Sequence, residues 1–255
     1  MNGNHPPLRI GFVSLGQGPR PDLEALHNSL FAAHGFEIVP VWEHVLDKLT
    51  ATELQAIEAG AEAPAIRALH HGAGSDRAVG PPGTNTWFDR EALTGRLGAA
   101  ISRLEDKGVT LTIVCAAEML PALDIRSRLP VIFPAYAMTA QTEMLARTTP
   151  AARIGFVVYG DRQRRQQVEG WRSQPWAGEL SLHFSGAGSD IDAIVGDLAP
   201  VRPDLVFIWA YGAATGPGAA EQISRRLGVP VVSAAMAAVR MALSFLPAGA
   251  EQASS

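Results

Sequence analysis

A chain of 255 residues, 47% hydrophobic and 18% charged, has the make-up of a soluble globular protein long enough for one large domain or two small ones. The formal charge of −4 leaves no basic footprint for nucleic acid, and no apolar run approaches the roughly 20 residues of a membrane-spanning helix. A single cysteine excludes an intramolecular disulfide. The N-terminus lacks the basic and then apolar regions of a signal peptide, so the cytoplasm is the expected location.

In chain order, residues 9–15 predict a buried strand, bounded by Pro6-Pro7 and Gly16. Asp22 is the expected N-cap of a helix carrying Leu23, Leu26, Leu30 and Phe31 on one face and ending at Gly35. Residues 36–41 predict the next strand. Thr50 and Glu53 have the spacing of a capping box for a short helix over 52–59. The rhythm then breaks over residues 64–90. Ala65–Leu69 fits a strand, and the stretch rich in Gly, Pro, Ser and Asn from His70 to Asn85 fits a hairpin or flap. A helix over 89–107, capped by Asp89 and stopped by Gly108, leads to the strand Leu111–Cys115, the strand near 129–134 and a helix over 135–148. The second half predicts strands at 153–158, 179–184, 204–210 and 229–233. Helices at 161–171, 189–198, 217–227 and 235–246 alternate with them, and a disordered tail follows from Ala248.

The two halves echo each other. Arg-Ile-Gly-Phe-Val occurs at 9–13 and again at 153–157, and Leu129-Pro130-Val131-Ile132 resembles Val229-Pro230-Val231-Val232. Strands alternating with helices predict parallel sheets with right-handed crossovers. The expected architecture is therefore α/β: two pseudo-symmetric lobes with parallel sheets. The N-terminal lobe spans 1–134, with the 64–90 insertion, and the C-terminal lobe spans 135–255. Ligands of such folds sit between domains and outside the carboxyl ends of strands, so residues just after each strand are the candidates.

Gly16-Gln17-Gly18-Pro19-Arg20-Pro21-Asp22 follows a strand and opens a helix. Free N–H groups, the helix dipole and the Arg20 guanidinium suit a carboxylate or phosphate there. Gly16-x-Gly18 also begins a dinucleotide pattern, but Pro21 stands where its third glycine belongs. A plain turn with a solvated arginine is the alternative. Cys115 ends a strand and, if Ala116-Ala117-Glu118 begins a helix, its thiol would be activated, with Glu118 as proton-transfer partner or orienting group. Against that stands a small core residue with no reactivity. In the second half, Tyr211, Gly212 and Thr215 occupy a Gly-rich turn at the repeat position of Cys115, and Tyr159 ends the strand that mates with the first. Tyr211 can equally be a packing aromatic. Arg162, Arg164 and Arg165 fit a solvated helix face. His27, His34, His44, His70 and His71 lack a metal-ligand pattern, so no metal is expected.

The run Ile10–Asp22, with its G-Q-x-P-R-x-D pattern, resembles the opening of the AroM family. Val114-Cys115-Ala116-Ala117-Glu118-Met119 is similar to that family's C-T-G-E-F segment, and the order of elements matches over nearly the whole chain. The family is related to the aspartate/glutamate racemase superfamily. The resemblance implies two α/β lobes with an active site between them and no cofactor. It also implies chemistry by two cysteines, one from each half, on opposite sides of a substrate carbon. Cys115 matches the first; the second falls near Ala210, and the chain has no other cysteine. Ala116-Ala117 also departs from the family's Thr-Gly.

The sequence thus leads to a cofactor-independent enzyme for a small carboxylate, of isomerase or lyase type. Gln17 and Arg20 bind the substrate, Cys115 and Glu118 act on it, and Tyr159, Tyr211, Gly212 and Thr215 add contacts. A non-catalytic carboxylate-binding or regulatory protein is the alternative. Neither nucleic acid nor membrane is an expected partner, and a closed homo-oligomer is the usual form of such enzymes.

Overall fold

The computed structural model describes residues 8–71, 84–120, 125–158, 161–186, 190–211 and 218–246. Tyr159, Gly212, Thr215, the tip of the 64–90 insertion and the expected disordered tail lie outside the described residues. None of the described helices is long and apolar enough to cross a membrane.

The chain divides into two compact units. One takes the described parts of Met1–Cys115, Leu120–Ile132 and Val239–Ser255; the other takes Ala116–Met119 and Phe133–Ala238. The expected single boundary at 134/135 is therefore replaced by several chain crossings. The physical reason lies in packing: Ala117 and the apolar face of the helix after Phe133 (Ala135, Ala137, Met138, Ala146) belong to the core built on Ile154, Phe156 and Trp171.

In the first unit the elements are β1 (Leu8–Ser14), α1 (Pro21–Ala32), β2 (Ile38–His44), α2 (Ala51–Ala56), β3 (Ala65–His70), β4 (Thr84–Asp89), α3 (Arg90–Thr94), α4 (Leu97–Asp106), β5 (Leu111–Cys115) and β6 (Val131–Ile132). The sheet order is β2-β1-β5-β6, all parallel. β2 runs three residues beyond the expected strand because it pairs with β1 along its full length, and Pro40 is tolerated since β2 lies at the sheet edge. The insertion is the antiparallel hairpin β3–β4, as expected from its composition. Thr50 and Glu53 form a complete capping box on α2. Asp89 caps its helix, accepting from Ala92 N at 2.8 Å. That helix is not continuous over 89–107: it turns at Gly95-Arg96 and restarts as α4. Glycine is a poor interior helix former, and the restart puts Leu97, Ala100, Ile101 and Leu104 at i, i+3, i+4 and i+7 into the core.

In the second unit follow α5 (Pro134–Thr148), β7 (Arg153–Val157), α6 (Asp161–Arg172), β8 (Ser181–Ser185), α7 (Ile191–Leu198), β9 (Leu205–Ile208), α8 (Ala219–Leu227), β10 (Val231–Ser233) and α9 (Ala234–Leu243). Its parallel sheet has the order β8-β7-β9-β10. Matched by chain order, this is the arrangement of the first sheet, so the repeat seen in sequence is a repeat of topology. The shared glycine of the pentapeptide explains one part of it. A Cβ on Gly11 would fall 3.1 Å from Leu104 of α4, and one on Gly155 would fall 3.3 Å from Leu198 of α7. In both sheets the missing side chain lets the helix before the third strand press a leucine onto the first.

Candidate functional site

The carboxyl edge of the first sheet carries a row of three polar side chains. β1 pairs in register with β2 up to Ser14↔His44 and with β5 up to Ser14↔Cys115. Partnered residues of neighbouring parallel strands share a face, with strands about 4.8 Å apart. His44, Ser14 and Cys115 therefore stand side by side. Ser14 is 1% exposed and Cys115 8% exposed, and Ser14 Oγ lies 2.7 Å from Nδ1 of His44. Beneath the row is an aromatic floor. The His44 ring stacks on Trp42 with centroids 5.7 Å apart, and Trp42 stacks on Phe12 at 4.8 Å. Phe12 in turn meets His27 of α1. Burial pushes the His27 pKa down to about 4, so this imidazole is a neutral core group, bonded to Leu23 O at 2.7 Å.

The loop after β1 closes over this row. A Cβ on Gly18 would fall 2.3 Å from the His44 ring, and one on Gly16 would fall 2.5 Å from the carbonyl oxygen of Leu69. Both glycines of Gly16-Gln17-Gly18 are thus required by close packing, on the imidazole and on the β3–β4 hairpin. That accounts for the partial dinucleotide pattern without a phosphate. Gln17 is fully buried. Its backbone N–H donates to Leu69 O (2.8 Å), its Nε2 donates to Leu46 O (3.2 Å), and its Oε1 accepts from His71 N (2.6 Å). Gly18 N–H donates to Asp47 Oδ1 at 2.8 Å. The Gln17 amide thereby ties the loop after β1 to the turn after β2 and to the end of β3.

One expectation is corrected at the same loop. Asp22 is not the N-cap of α1. Arg20 holds that position with Pro21 as the first helical residue, a place where the missing N–H costs nothing. Freed from capping, the Asp22 carboxylate grips the Arg20 guanidinium in a two-pronged bond, Nε to Oδ1 at 2.8 Å and Nη2 to Oδ2 at 2.7 Å. Burial alone would raise the Asp22 pKa. The Arg20 hydrogen bonds and charge, with the Leu23 N–H, outweigh it and hold the carboxyl below its ordinary value. Asp22 occupies two of the five N–H donors that the Arg20 guanidinium carries.

After Cys115, residues 116–120 form no helix, so thiol activation by a helix dipole is also corrected. Glu118 is half-buried three residues further on, in the segment Ala116–Met119 of the other compact unit. In the second unit Tyr211 packs, half-buried, against the core cluster that includes Phe156, Trp171 and Trp209. The repeat register moves the counterpart of Cys115. Gly11 pairs with Thr112 and Gly155 with Val206, so three residues on from each, Cys115 corresponds to Trp209, one residue before the expected Ala210. Trp209 is fully buried, 4.7 Å edge-on from Trp171. The same count sets Ser14 opposite Val158. No group of three or more metal-ligating side chains occurs among the described residues.

The sequence pattern does not point to Ser14 or His44: His44 lacks a metal-ligand pattern and lies beyond the strand predicted over 36–41. The signal was present in the apolar pentapeptide, whose first polar residue after it is Ser14, but it needs the strand register to be read.

No curated protein matches the chain by sequence. Among solved structures it is similar to unliganded arylmalonate decarboxylase (TM-score 0.54, 15% identity, 95% of this chain and 94% of that one). It is likewise similar to the maleate isomerase Iso from Pseudomonas putida S16 (0.56, 14%, 93% and 92%) and to allantoin racemase from Klebsiella pneumoniae (0.53, 18%, 93% and 86%). At these identities the likeness shows a common α/β fold. The family model described as AroM protein matches residues 10–246. With the loop and cysteine segments that it spans now placed in the fold, the chain belongs to the AroM family.

Proposed function

We propose that the protein is a cofactor-independent enzyme acting on a small carboxylate-bearing molecule, with isomerase or lyase chemistry carried by one thiol, that of Cys115. The observation that carries this reading is the position of Cys115. It ends a central parallel strand at the sheet's carboxyl edge, where ligands of open α/β sheets bind, and it lies in a row with a buried serine and a half-buried histidine. Solved proteins of this fold include a decarboxylase, an isomerase and a racemase, which supports the reaction class. A lone thiol delivers or removes a proton on one face only, or forms one covalent adduct. That fits decarboxylation with single-faced protonation, or isomerisation through an adduct. Racemisation by two thiols is unavailable, since the chain has one cysteine and Trp209 stands at the repeat position. Arg20 offers its remaining N–H groups to the carboxylate, while Gln17 fixes the loop. Glu118 assists proton transfer, and Tyr159, Tyr211, Gly212 and Thr215 complete the substrate contacts.

A second reading is a carboxylate-binding or regulatory protein without catalysis. It is favoured by the missing second cysteine. Alkylation of the native protein with iodoacetamide near neutral pH, with and without a panel of small mono- and dicarboxylates, separates the two. The enzyme reading expects Cys115 to react and to be protected by a carboxylate that the wild type, but not Cys115→Ala, converts by proton NMR. A thiol that stays inert until denaturant is added overturns it.

A further inference from the structure

We propose that Ser14 and His44 form a proton conduit serving Cys115, with His44 as the terminal base. The inference rests on the reading of Cys115 as the reactive thiol and adds the means by which one strand edge ionises it. The register lines up His44, Ser14 and Cys115 on one face of adjacent strands. Ser14 is the middle member, nearly fully buried, and its hydroxyl is already 2.7 Å from Nδ1 of His44. A hydroxyl both donates and accepts, so it can pass a proton without changing its own state. In this structure the Cys115 thiol donates to Ile113 O at 3.9 Å, so it turns to Ser14 for the transfer; its S–H bond then breaks and its proton goes to Ser14 Oγ, while the Ser14 proton goes to Nδ1 of His44. Sulfur becomes thiolate, the imidazole becomes imidazolium, and Ser14 remains a hydroxyl. The reverse passage delivers a proton to sulfur once the thiol has protonated a substrate.

The surroundings favour His44 as the acceptor. On its own turn, Asp47 receives the Gly18 N–H. At the start of α1, Arg20 and Asp22 bind each other, and within α1 the buried His27 is kept neutral. His70 is bonded through Nε2 to Thr86 Oγ1, and His71 follows it at the end of β3. Glu43, which alternates onto the opposite face of β2, is held by Arg103 and Lys107. Glu118 follows Cys115 in the chain but comes after the strand pairing ends. His44 is the ionisable side chain that shares the row with the thiol. Its orientation is fixed by stacking on Trp42 and by the close approach of Gly18, as a relay needs.

The test is the second-order rate of Cys115 alkylation by iodoacetamide between about pH 5 and pH 10, on the full chain and without substrate. The wild type should stay reactive below the free-thiol value of about 8.5. Ser14→Ala, which removes the relaying hydroxyl, and His44→Gln, which bonds but cannot titrate, should each slow alkylation at pH 7 by about 10-fold or more and leave one titration near that value. Ser14→Thr should restore the wild-type profile. Folding of each variant is checked by circular dichroism; should Ser14→Ala misfold, His44→Gln decides alone. Profiles for both variants within about twofold of wild type overturn the conduit while leaving a reactive Cys115 in place. A native wild-type thiol with no reactivity sinks the proposed function itself, and the conduit with it.

Discussion

The two parallel sheets share strand order, the Arg-Ile-Gly-Phe-Val strand and the glycine that admits a helix leucine, yet they differ at one edge. Where the first sheet ends in Ser14 and Cys115, the matching positions of the second, one residue beyond β7 and β9, are Val158 and Trp209. At the first pair of positions Ser14 carries a serine–histidine bond; at the second, Val158 and Trp209 are apolar and fully buried. The same backbone plan thus carries a serine and a cysteine at these positions in one copy and packed apolar side chains in the other. The difference teaches that topology alone does not assign function.

Truncating the matched edge residues should break the symmetry most visibly. Trp209→Ala removes a fully buried indole at the centre of the aromatic core and should cost about 3–5 kcal/mol in urea unfolding. Cys115→Ala should cost only about 1 kcal/mol while abolishing native alkylation. Equal costs would refute the division into a packing edge and a chemical edge.

The next effect concerns His27, a buried imidazole supporting the polar edge. Its folded pKa of about 4 lies below the ordinary 6.5, so the unfolded chain takes up the proton first as pH falls. Its contribution is therefore fully present above pH 6.5 and is lost as pH drops toward about 4. The difference amounts to roughly 3 kcal/mol. His27→Leu should flatten the stability–pH curve across that window, as followed by urea midpoints at pH 7, 5.5 and 4. An unchanged slope would mean that His27 takes a proton without penalty in the fold.

The smallest effect sharpens the comparison at the shared glycine. A methyl at Gly11 meets Thr112 Oγ1 at 3.0 Å and the Leu111 carbonyl at 3.2 Å, whereas one at Gly155 meets only the tips of Val206 and Leu198. Gly11→Ala should therefore cost about 1–3 kcal/mol and Gly155→Ala distinctly less, because side-chain tips yield and a strand carbonyl does not. The reverse order in paired thermal melts would show the second sheet to be the tighter.

Much of the site's neighbourhood was legible in the sequence, and what was missed has a common cause. Cys115 at a strand end, the capping box at Thr50 and the hairpin over the insertion all follow from local patterns. The Gln17 side-chain bonds and the Ser14–His44 bond depend on partners 29 to 54 residues away, and the counterpart of Cys115 on strand pairings such as Gly11 with Thr112 that span still more of the chain. Asp22 departs from its local pattern for a related reason. Its spacing is that of an N-cap, but a charged neighbour, Arg20, offered its carboxylate a stronger bond than the helix N–H groups did.

By itself the sequence determined the alternation of strand and helix, the duplication and the family, because hydrophobic period, caps and breakers act over a few residues. Only the tertiary structure decided which side chains stand together at the sheet's edge. Pairing register fixes which faces and which neighbours meet, and it is set by the whole sheet and the helices packed on it. A chain read one residue at a time carries that register only implicitly.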